Sequence, residues 1–368
     1  GSETVRYDYC TTLQRLFERN FMRPLRDWCQ AHDLEFTGHI IENAFPSPLP
    51  HPDNMAALRW MHAPGIDLLG FQFSPTRMSD NAKYFLNMKE VTSLAAQFDR
   101  RWVLVESCGG PGFQASFELF KPLEDYLLAL GTNVMDPHLA HQTLVGGGKY
   151  DFPQTLSDHS PWWPFYHHQA LHVARANTAL CQGRAANRCL VLHPATTTWL
   201  YLDPVADRRK KETQPKQLQD LEDGFYDLLL ELYGNQVGFD LGSELVMADA
   251  AELRDGTVVV GSASYDLVVV PDVMDNWTTS TLALLRQFLA EGGEVWTTGD
   301  APRCLDGRRS DTPATLYEAA EGVRLFDSRD LMVAAIRRRL PPEIGAPGGG
   351  RLPAELCWRV VRTPDGEW

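Results

Sequence analysis

The chain contains, at residues 101–110, the stretch Arg101-Trp-Val-Leu-Val-Glu-Ser-Cys-Gly-Gly110, in which an apolar run ends in an acid. An apolar run of this kind, bounded by turn residues, predicts a short buried strand. Helical patterns stand on both sides of it, from about residue 81 to 98 and from about 116 to 130. A strand between two helices is the repeat of a parallel α/β sheet.

The same alternation continues outward from this stretch. Strands are predicted at 34–38, 66–70 and 133–136, a helix is predicted before the first of them, and a long helix up to about residue 182 follows the aromatic loop Trp162-Trp-Pro-Phe-Tyr166. An interval of roughly 30 residues between strands indicates parallel strands with helical crossovers. Four such strands fit before residue 185. The fold class is therefore α/β, with half of a (β/α)8 barrel or a small open sheet in this part.

A second unit begins where a strand restarts after Gly183. Its predicted elements are, in order, a strand at 188–192, a helix at 218–233, a strand at 265–271, a helix at 279–291 and a strand at 294–298. This is the doubly wound α/β pattern of flavodoxin type. Residues 341–353 are rich in Pro and Gly, as linkers are, and the alternation in 355–362 then predicts a strand that runs into a turn.

Charge and hydropathy narrow the possible partners. The chain has 48 acidic and 34 basic residues, a net charge of −14. A nucleic-acid site needs a basic face, whereas the two basic clusters, Arg208-Arg-Lys-Lys211 and Arg337-Arg-Arg339, are short and typical of solvated surface. No run reaches the roughly 20 apolar residues of a membrane helix. We therefore expect neither a nucleic-acid nor a membrane partner.

Cysteine and histidine spacing argues against disulfides and metals. The seven cysteines are scattered and form no Cys-x-x-Cys pair, which predicts free thiols and favours the cytoplasm while leaving the localisation open. Six histidines fall between residues 138 and 172, but no Glu or Cys accompanies them at a ligand spacing. We expect no metal and no cofactor.

Polar residues stand at the predicted ends of all four strands of the first unit, where barrel enzymes carry their active residues. Glu106 directly follows an apolar run, where a carboxylate is costly to bury unless it is paired or used. It is a candidate catalytic residue, and the alternative is a helix cap or an arginine partner. Glu42, beside His39 and Asn43, is the candidate second carboxylate or else a structural acid. Two carboxyl groups that face one cleft suit glycoside hydrolysis.

Three tryptophans complete the set of candidates. Trp60, Trp162 and Trp163 could stack on the apolar face of a sugar, and packing in the core or a loop is an equal alternative for each.

Taken together, these motifs resemble those of large multidomain bacterial glycoside hydrolases related to the family 42 β-galactosidases, which are clan A barrel enzymes with a flavodoxin-like second domain. The motifs are Arg6-Tyr-Asp-Tyr9, Phe36-Thr-Gly-His39, Arg59-Trp-Met-His-Ala-Pro-Gly-Ile-Asp67, Glu106-Ser-Cys-Gly-Gly110, Asp136-Pro-His138, Pro161-Trp-Trp-Pro164 and Val191-Leu-His-Pro194.

The resemblance implies a division of the chain and a catalytic residue. Residues 1–185 would be strands five to eight of the barrel, 186–340 the flavodoxin-like domain of the type that supports trimers, and 341–368 a linker and the start of a β-sandwich. In clan A the nucleophile follows strand seven, which points to Glu106. The acid/base follows strand four, so the resemblance implies that an N-terminal half-barrel comes from a missing segment or another chain.

The resemblance also implies a function. We expect a glycosidase that acts on plant or microbial oligosaccharides or polysaccharides, most simply a retaining enzyme and a homo-oligomer. Its sugar site would be lined by His39, Asn43, Trp60, Asp67, His138 and Trp162. Two alternatives stay open: an inverting enzyme like the barrel rhamnosidases, and a non-catalytic sugar-binding or assembly module.

Overall fold

Two parallel sheets, joined through one shared helix, organise the chain in the computed structural model. The structure describes residues 1–41, 45–49, 51–70, 72–74, 78–207, 210–342, 344, 357–363 and 366–367. None of the helices within these ranges is both long and apolar enough to cross a membrane.

The first sheet has four parallel strands that are neighbours in chain order. They are β1 (Thr37–Gly38), β2 (Ala63–Gly70), β3 (Leu104–Gly109) and β4 (Val134–Pro137). Sequential parallel strands make this a half-barrel sheet, as the sequence predicts. β1 is shorter than the pattern at 34–38 indicates, because only two of its residues pair with β2.

Helices fill the crossovers of this sheet. They are α1 (Ser2–Phe17), α2 (Arg23–Ala31), α3 (Asn54–Leu58), α4 (Ala82–Gln97), α5 (Phe117–Leu130) and α6 (Tyr166–Leu180); a π-helical turn, Glu18–Met22, joins α1 to α2, and 3-10 turns span Met78–Asn81, Gly147–Tyr150 and Trp163–Phe165. α5 ends at Gly131, whose φ of +118° is a left-handed C-cap that only glycine adopts without strain. The chain turns there into β4.

Alternation along the strands gives the first sheet two different faces. Ile66, Leu68 and Val105 are buried under the helices. Because successive strand residues point to opposite faces, Asp67 and Glu106 lie on the other, partly exposed face. The apolar run that predicts β3 therefore contributes one face to the core and one acid to a cleft.

The second sheet has five parallel strands. They are β6 (Cys189–Leu192), β7 (Phe239–Gly242), β11 (Leu267–Val269), β13 (Glu294–Thr297) and β16 (Val323–Leu325), with β5 (Arg184–Ala185) preceding them in the chain. The spatial order is β16-β13-β11-β6-β7, which is 2-1-3-4-5 in order of appearance and is one of the two common orders of doubly wound sheets. The central strands are buried on both faces, so they read as continuous apolar runs.

Helices and short strands surround this sheet. They are α7 (Ala195–Leu200), α8 (Lys216–Gly234), α9 (Glu244–Ala250), α10 (Thr279–Ala290), α11 (Thr312–Ala319) and α12 (Arg329–Arg339), a 3-10 turn at Lys211–Thr213, the meander β8 (Ala251–Arg254), β9 (Thr257–Val260) and β10 (Ala263–Tyr265), and the small sheet of β12 (Asn276–Trp277), β14 (Cys304–Leu305) and β15 (Arg308–Arg309). All seven cysteines are free thiols, as the sequence predicts.

Two strand predictions need correction. The run at 265–271 is not one strand, because Ala263–Tyr265 pairs antiparallel with β9 and only Leu267–Val269 enters the parallel sheet. In the tail, β17 (Val361–Thr363) begins later than the predicted 355, and it pairs with β18 (Gly366–Glu367) on one side and β5 on the other.

Helix α4 is buried nearly all round because it serves both sheets. It packs on β2 on one side and on β7, the edge strand of the second sheet, on the other. Lys89, Ser93 and Gln97 form one stripe at i, i+4 and i+8 on that side. The Lys89 ammonium donates to the carbonyl of Phe239, the amide of Leu241 donates to Ser93 Oγ at 2.9 Å, and Gln97 Nε2 donates to the carbonyl of Leu241 at 2.9 Å. Side chains of α4 thus satisfy an edge that would otherwise be unpaired.

A buried contact between a histidine and a glutamate lies beside this stripe. His193, which follows β6, places its Nε2 3.1 Å from Oε1 of Glu90 on α4. Asn54 donates to both oxygens of Glu90, and Asn87 donates to Oε2 at 3.2 Å. Full pairing is what makes a buried carboxylate tolerable, so this contact fixes how the two sheets meet.

Helix α1 packs on the second unit rather than on the sheet that it precedes. Thr4 donates to the carbonyl of Gly307 at 2.9 Å, and the Tyr7 hydroxyl donates to Asp306 Oδ1 at 3.1 Å. The Tyr7 ring lies 5.4 Å from that of Trp199. Gly307 is required here, because a Cβ on it would lie 2.5 Å from Tyr7 Cβ.

The stripe on α4 gives a first prediction. Ser93→Ala leaves the buried amide of Leu241 without an acceptor, so we expect a loss of about 1–3 kcal/mol in unfolding free energy. We also expect faster hydrogen exchange at Leu241. Thr92→Val is the matched control, because the Thr92 hydroxyl donates within its own helix, to the carbonyl of Met88. Equal exchange at Leu241 in both variants would contradict the role given to Ser93.

Candidate active site

Three acids form a row across the first sheet. Asp67 on β2 is paired in register with Glu106 on β3, and Glu106 is paired in register with Asp136 on β4. Residues in register on parallel strands point to the same face and are about 5 Å apart. The register therefore puts three carboxyl groups side by side on the face that the helices leave uncovered.

Two histidine side chains lie next to Glu106, the middle acid of the row. His39, just after β1, places Nε2 3.1 Å from Glu106 Oε2, and His138, just after β4, places Nε2 3.9 Å from Oε1. His39 Nδ1 lies 3.0 Å from the carbonyl of Ile40, and it must carry a proton to bond there. With that proton on Nδ1, a hydrogen bond between His39 Nε2 and Glu106 needs a second proton. The second proton is either on Nε2, which makes the ring an imidazolium, or on the carboxyl group of Glu106.

The surroundings of Glu106 raise the pKa of its carboxyl group. Burial is the largest cause, the charge of Asp67 is the next, and Asp136 adds to it, whereas His39 and His138 act in the opposite direction. The side chain is 22% exposed, so it is partly desolvated and still reachable. Glu106 can therefore hold a proton at a higher pH than an exposed glutamate and can lose it when the histidines are charged.

Cys108, near the end of β3, contacts α5 on the face of the sheet that the helices cover. Its φ of +59° is in the left-handed region and breaks the strand alternation, so its thiol lies on the helix side, where Sγ is 3.8 Å from Oε1 of Glu124 on α5. Gln169 on α6 donates to the other oxygen of Glu124, and Gln154 donates to the carbonyl of Cys108. Burial raises the pKa of Glu124 to about 7.

The structure brings together four of the residues predicted from the sequence: His39, Asp67, Glu106 and His138. Asp136 belongs with them, although the sequence analysis did not name it as a site residue. The sequence does contain a pattern that could identify Asp136, because this residue lies at a predicted strand end in the motif Asp136-Pro-His138. Glu42 and Asn43 lie outside the described residues.

Trp60 and Trp162 are engaged in packing. Trp162 donates from Nε1 to the carbonyl of Ala115 at 2.8 Å, and its ring packs against those of Phe117 and Phe120. Trp60 lies before the start of β2, seven residues ahead of Asp67 in the chain. Its Nε1 donates to Glu18 at 2.8 Å, and arginine side chains cover its ring. The structure does not bring Trp60 together with Glu106.

The same cleft has a possible donor set for a divalent cation. One nitrogen of His39 and one oxygen each of Asp67 and Glu106 lie within 4.8 Å of one another. Zinc in a catalytic site takes three protein ligands of these types and keeps its fourth position open. These three residues are the ones in the described cleft that could hold such an ion.

Comparison with known proteins relates this fold to glycoside hydrolases. No protein-family model and no curated protein matches the chain. Among solved structures, a rhamnosidase from Novosphingobium sp. PP1Y matches 98% of the chain at 18% identity with a TM-score of 0.69. An exo-carrageenase GH42 from Bacteroides ovatus matches 91% at 10% identity with a TM-score of 0.59, and a β-galactosidase from Halorubrum lacusprofundi matches 86% at 15% identity with a TM-score of 0.57.

The match covers only part of each of these proteins. The chain spans 34% of the rhamnosidase, 45% of the exo-carrageenase and 46% of the β-galactosidase. At these identities the comparison establishes a shared fold with one portion of glycoside hydrolases, and the reaction of this chain has to be argued from its own residues.

The contacts of Glu106 give a second prediction. Burial and the charge of Asp67 raise the pKa of Glu106, whereas His39 lowers it. His39→Asn removes the lowering effect, so the pKa of Glu106 should rise further. The carboxyl group can be titrated by NMR with ¹³C-labelled glutamate. His172→Asn is the control, because His172 pairs with Asp125 outside this cleft. An unchanged or lowered pKa of Glu106 in the His39 variant would refute the coupling.

Glu124 gives a third prediction, with a defined sign. Its pKa in the folded protein, about 7, lies above the ordinary 4.5. The folded state therefore binds more protons than the unfolded state between these values, and the contribution of Glu124 to stability falls as the pH rises from about 4.5 to 7. Glu124→Gln removes this titration. The unfolding free energy of the variant, relative to that of wild type, should therefore rise by about 3 kcal/mol as the pH goes from 5 to 8.

Urea unfolding at several pH values measures this difference. Glu118→Gln, an exposed glutamate on the same helix, should instead follow the wild-type profile. A difference between Glu124→Gln and wild type that does not change with pH would show that Glu124 titrates normally.

Proposed function

We propose that the chain is part of an O-glycosyl hydrolase that cleaves glycosidic bonds in plant or microbial oligosaccharides or polysaccharides, with Glu106 as the nucleophile. The position of Glu106 carries this proposal. It lies in β3, the third of four sequential parallel strands, three residues before the carboxyl end of that strand and between two acids and two histidines. Barrel enzymes keep their reacting groups at this end of the strands. The fold shared with a rhamnosidase and β-galactosidases supports the class of reaction.

In the retaining mechanism, Glu106 attacks the anomeric carbon as a carboxylate and forms a glycosyl ester while a second carboxyl group protonates the leaving oxygen. Water then cleaves the ester, and the second carboxyl group takes the proton from that water. The attack needs the ionised form of Glu106, which its burial and Asp67 disfavour. His39 and His138, when protonated, stabilise that form.

The other polar side chains of the cleft are proposed to contact the sugar. Asp67 and Asp136 can accept hydrogen bonds from hydroxyl groups, and His39 and His138 can donate or accept. Trp60 and Trp162 are already packed, which leaves them little free surface for stacking. Asn43 remains a candidate contact from the sequence.

The second carboxyl group is proposed to follow strand four of a completed barrel, with Glu42 as the alternative. In this proposal residues 1–185 are strands five to eight, residues 186–340 form a flavodoxin-like domain that supports a homo-oligomer, and residues 341–368 lead into a further domain. The missing half-barrel comes from the same polypeptide or from a second one. An intact mass well above 41.4 kDa, or a second polypeptide that co-purifies from the natural source, would support this arrangement.

The distance between the two carboxyl groups separates the two stereochemical outcomes. A gap of about 5–5.5 Å favours retention, and a gap of about 6.5–9.5 Å leaves room for the water of an inverting enzyme.

Activity on aryl glycosides tests the role of Glu106 and gives a fourth prediction. We expect the complete protein to hydrolyse at least one of a panel that includes the α-L-rhamnoside and the β-D-galactoside. Glu106→Gln should lower kcat by about 10³-fold or more. Azide should restore turnover in Glu106→Ala and give a glycosyl azide of inverted configuration, because a small anion takes the place of the carboxylate.

Two results would count against the proposed role. Glu118→Gln is the control and should keep full activity, since Glu118 is exposed on α5. Wild-type activity in Glu106→Gln would remove Glu106 from the reaction. Sugar binding without hydrolysis of even a dinitrophenyl glycoside would instead favour the non-catalytic binding module.

A further inference from the structure

A second cavity lies at the other end of the first sheet from Glu106. Its volume is about 690 Å³, and it is lined by α4, by the residues just before β3 and β4, by the edge strand β7 and by the tail residues 358–362. Six of its lining residues are lysine or arginine and two are aspartate. An excess of cations in a cavity raises the local positive potential and attracts an anion.

Both aspartates of this cavity already have partners. Asp240 is buried; it accepts from Asn187 at 2.7 Å and from the Tyr265 hydroxyl at 3.0 Å, and Lys89 Nζ lies 3.7 Å away. Asp99 is paired with Arg184 at 2.8 Å. These two carboxylates therefore do not balance the remaining positive charges.

Arg359 has no direct ion-pair or hydrogen-bond partner among the residues that the structure describes. Among the described residues, no carboxylate oxygen lies within 4.0 Å of its guanidinium, and no hydrogen bond from it is formed. The group lies against Gly131, where a Cβ would be 3.3 Å from Arg359 Cζ. Burial lowers the pKa of Arg359 because it removes water from around the charge, while the charge of Asp240 acts in the opposite direction from beyond direct contact. An unpaired guanidinium held away from water is costly unless an anion joins it.

The tail holds Arg359 in place from both sides. The Trp358 ring stacks on that of Tyr233 at 4.9 Å, and the amide of Trp358 donates to the Tyr233 hydroxyl at 2.6 Å while that hydroxyl donates to the Trp358 carbonyl at 2.7 Å. On the other side, Val361 pairs with Ala185. Because the chain is anchored one residue before and two residues after Arg359, the backbone of this arginine is held in place before any ligand arrives, which lowers the cost of binding.

We propose that this cavity binds a small molecule through a phosphate or sulfate group held by Arg359 and Lys89. A guanidinium supplies several donors in a fixed plane and an ammonium supplies a point charge, a combination suited to a tetrahedral oxyanion. The volume exceeds the space that the oxyanion needs, so the remainder accommodates an organic group beside the Trp358–Tyr233 stack. Bound ligand would bridge α4 to the tail and fasten β17 to β5.

Inorganic phosphate and inorganic sulfate are the probes for the full chain, compared with chloride at equal ionic strength. We expect a saturable rise in Tm and calorimetric binding with phosphate, sulfate or both. Arg359→Met should weaken binding by at least about tenfold, which is the loss of a charge-assisted hydrogen bond. Arg338→Met, at an exposed arginine of α12, should bind like wild type.

Two further readouts separate binding from a structural role. Without anion, Arg359→Met should be at least as stable as wild type, because the variant no longer buries an unpaired charge. In the unaltered protein, phosphate or sulfate should slow hydrogen exchange at Val361 and Ala185, a measurement that does not depend on the folding of any variant. The proposal is overturned if neither anion produces a saturable effect, or if Arg359→Met responds to them as wild type does.

Discussion

The structure depends on the hydrogen bonds between one face of α4 and the backbone of β7. A sheet edge offers unpaired amides and carbonyls, and it normally needs another strand or an exposed, well-solvated position. Here Lys89, Ser93 and Gln97 take the place of that strand. The opposite face of α4 packs on β2, so a single helix sets the position of the second sheet against the strand that carries Asp67.

In the candidate site, the rigid backbone keeps three carboxyl groups close together and so affects the pKa of Glu106. Three carboxyl groups in register repel one another, and a flexible cleft would relax by moving them apart. Strand pairing prevents that relaxation, and the repulsion acts instead on the proton affinity of Glu106. The two histidines then decide which protonation state prevails. Proteins adjust the pKa of a catalytic carboxyl group in this way, by holding charges of both signs close to it on a fixed backbone.

The sequence predicts the parts of this arrangement that depend on local pattern. Strands β3 and β6 are recognisable because an apolar run between turn signals has few other interpretations, and Glu106 is recognisable because it ends such a run. β7 was not predicted, because Phe239-Asp-Leu-Gly242 carries an acid whose partners come from Asn187 and Tyr265. The left-handed backbone of Cys108 and the packing of Trp162 likewise depend on distant residues. The alignment of Asp136 with Glu106 follows from strand register, which no single segment encodes.

The docking of α1 has a consequence for the order in which the molecule is built. Tyr7 and Asp306 are 299 positions apart in the chain, and Thr4 and Gly307 are 303 apart. A ribosome that adds about 5–20 residues per second needs about 15–60 s to travel from one to the other. During that time the first helix has emerged without the surface that it finally covers. Its docking therefore waits until Asp306 and Gly307 have been made, and the buried face of α1 stays without this partner for that interval.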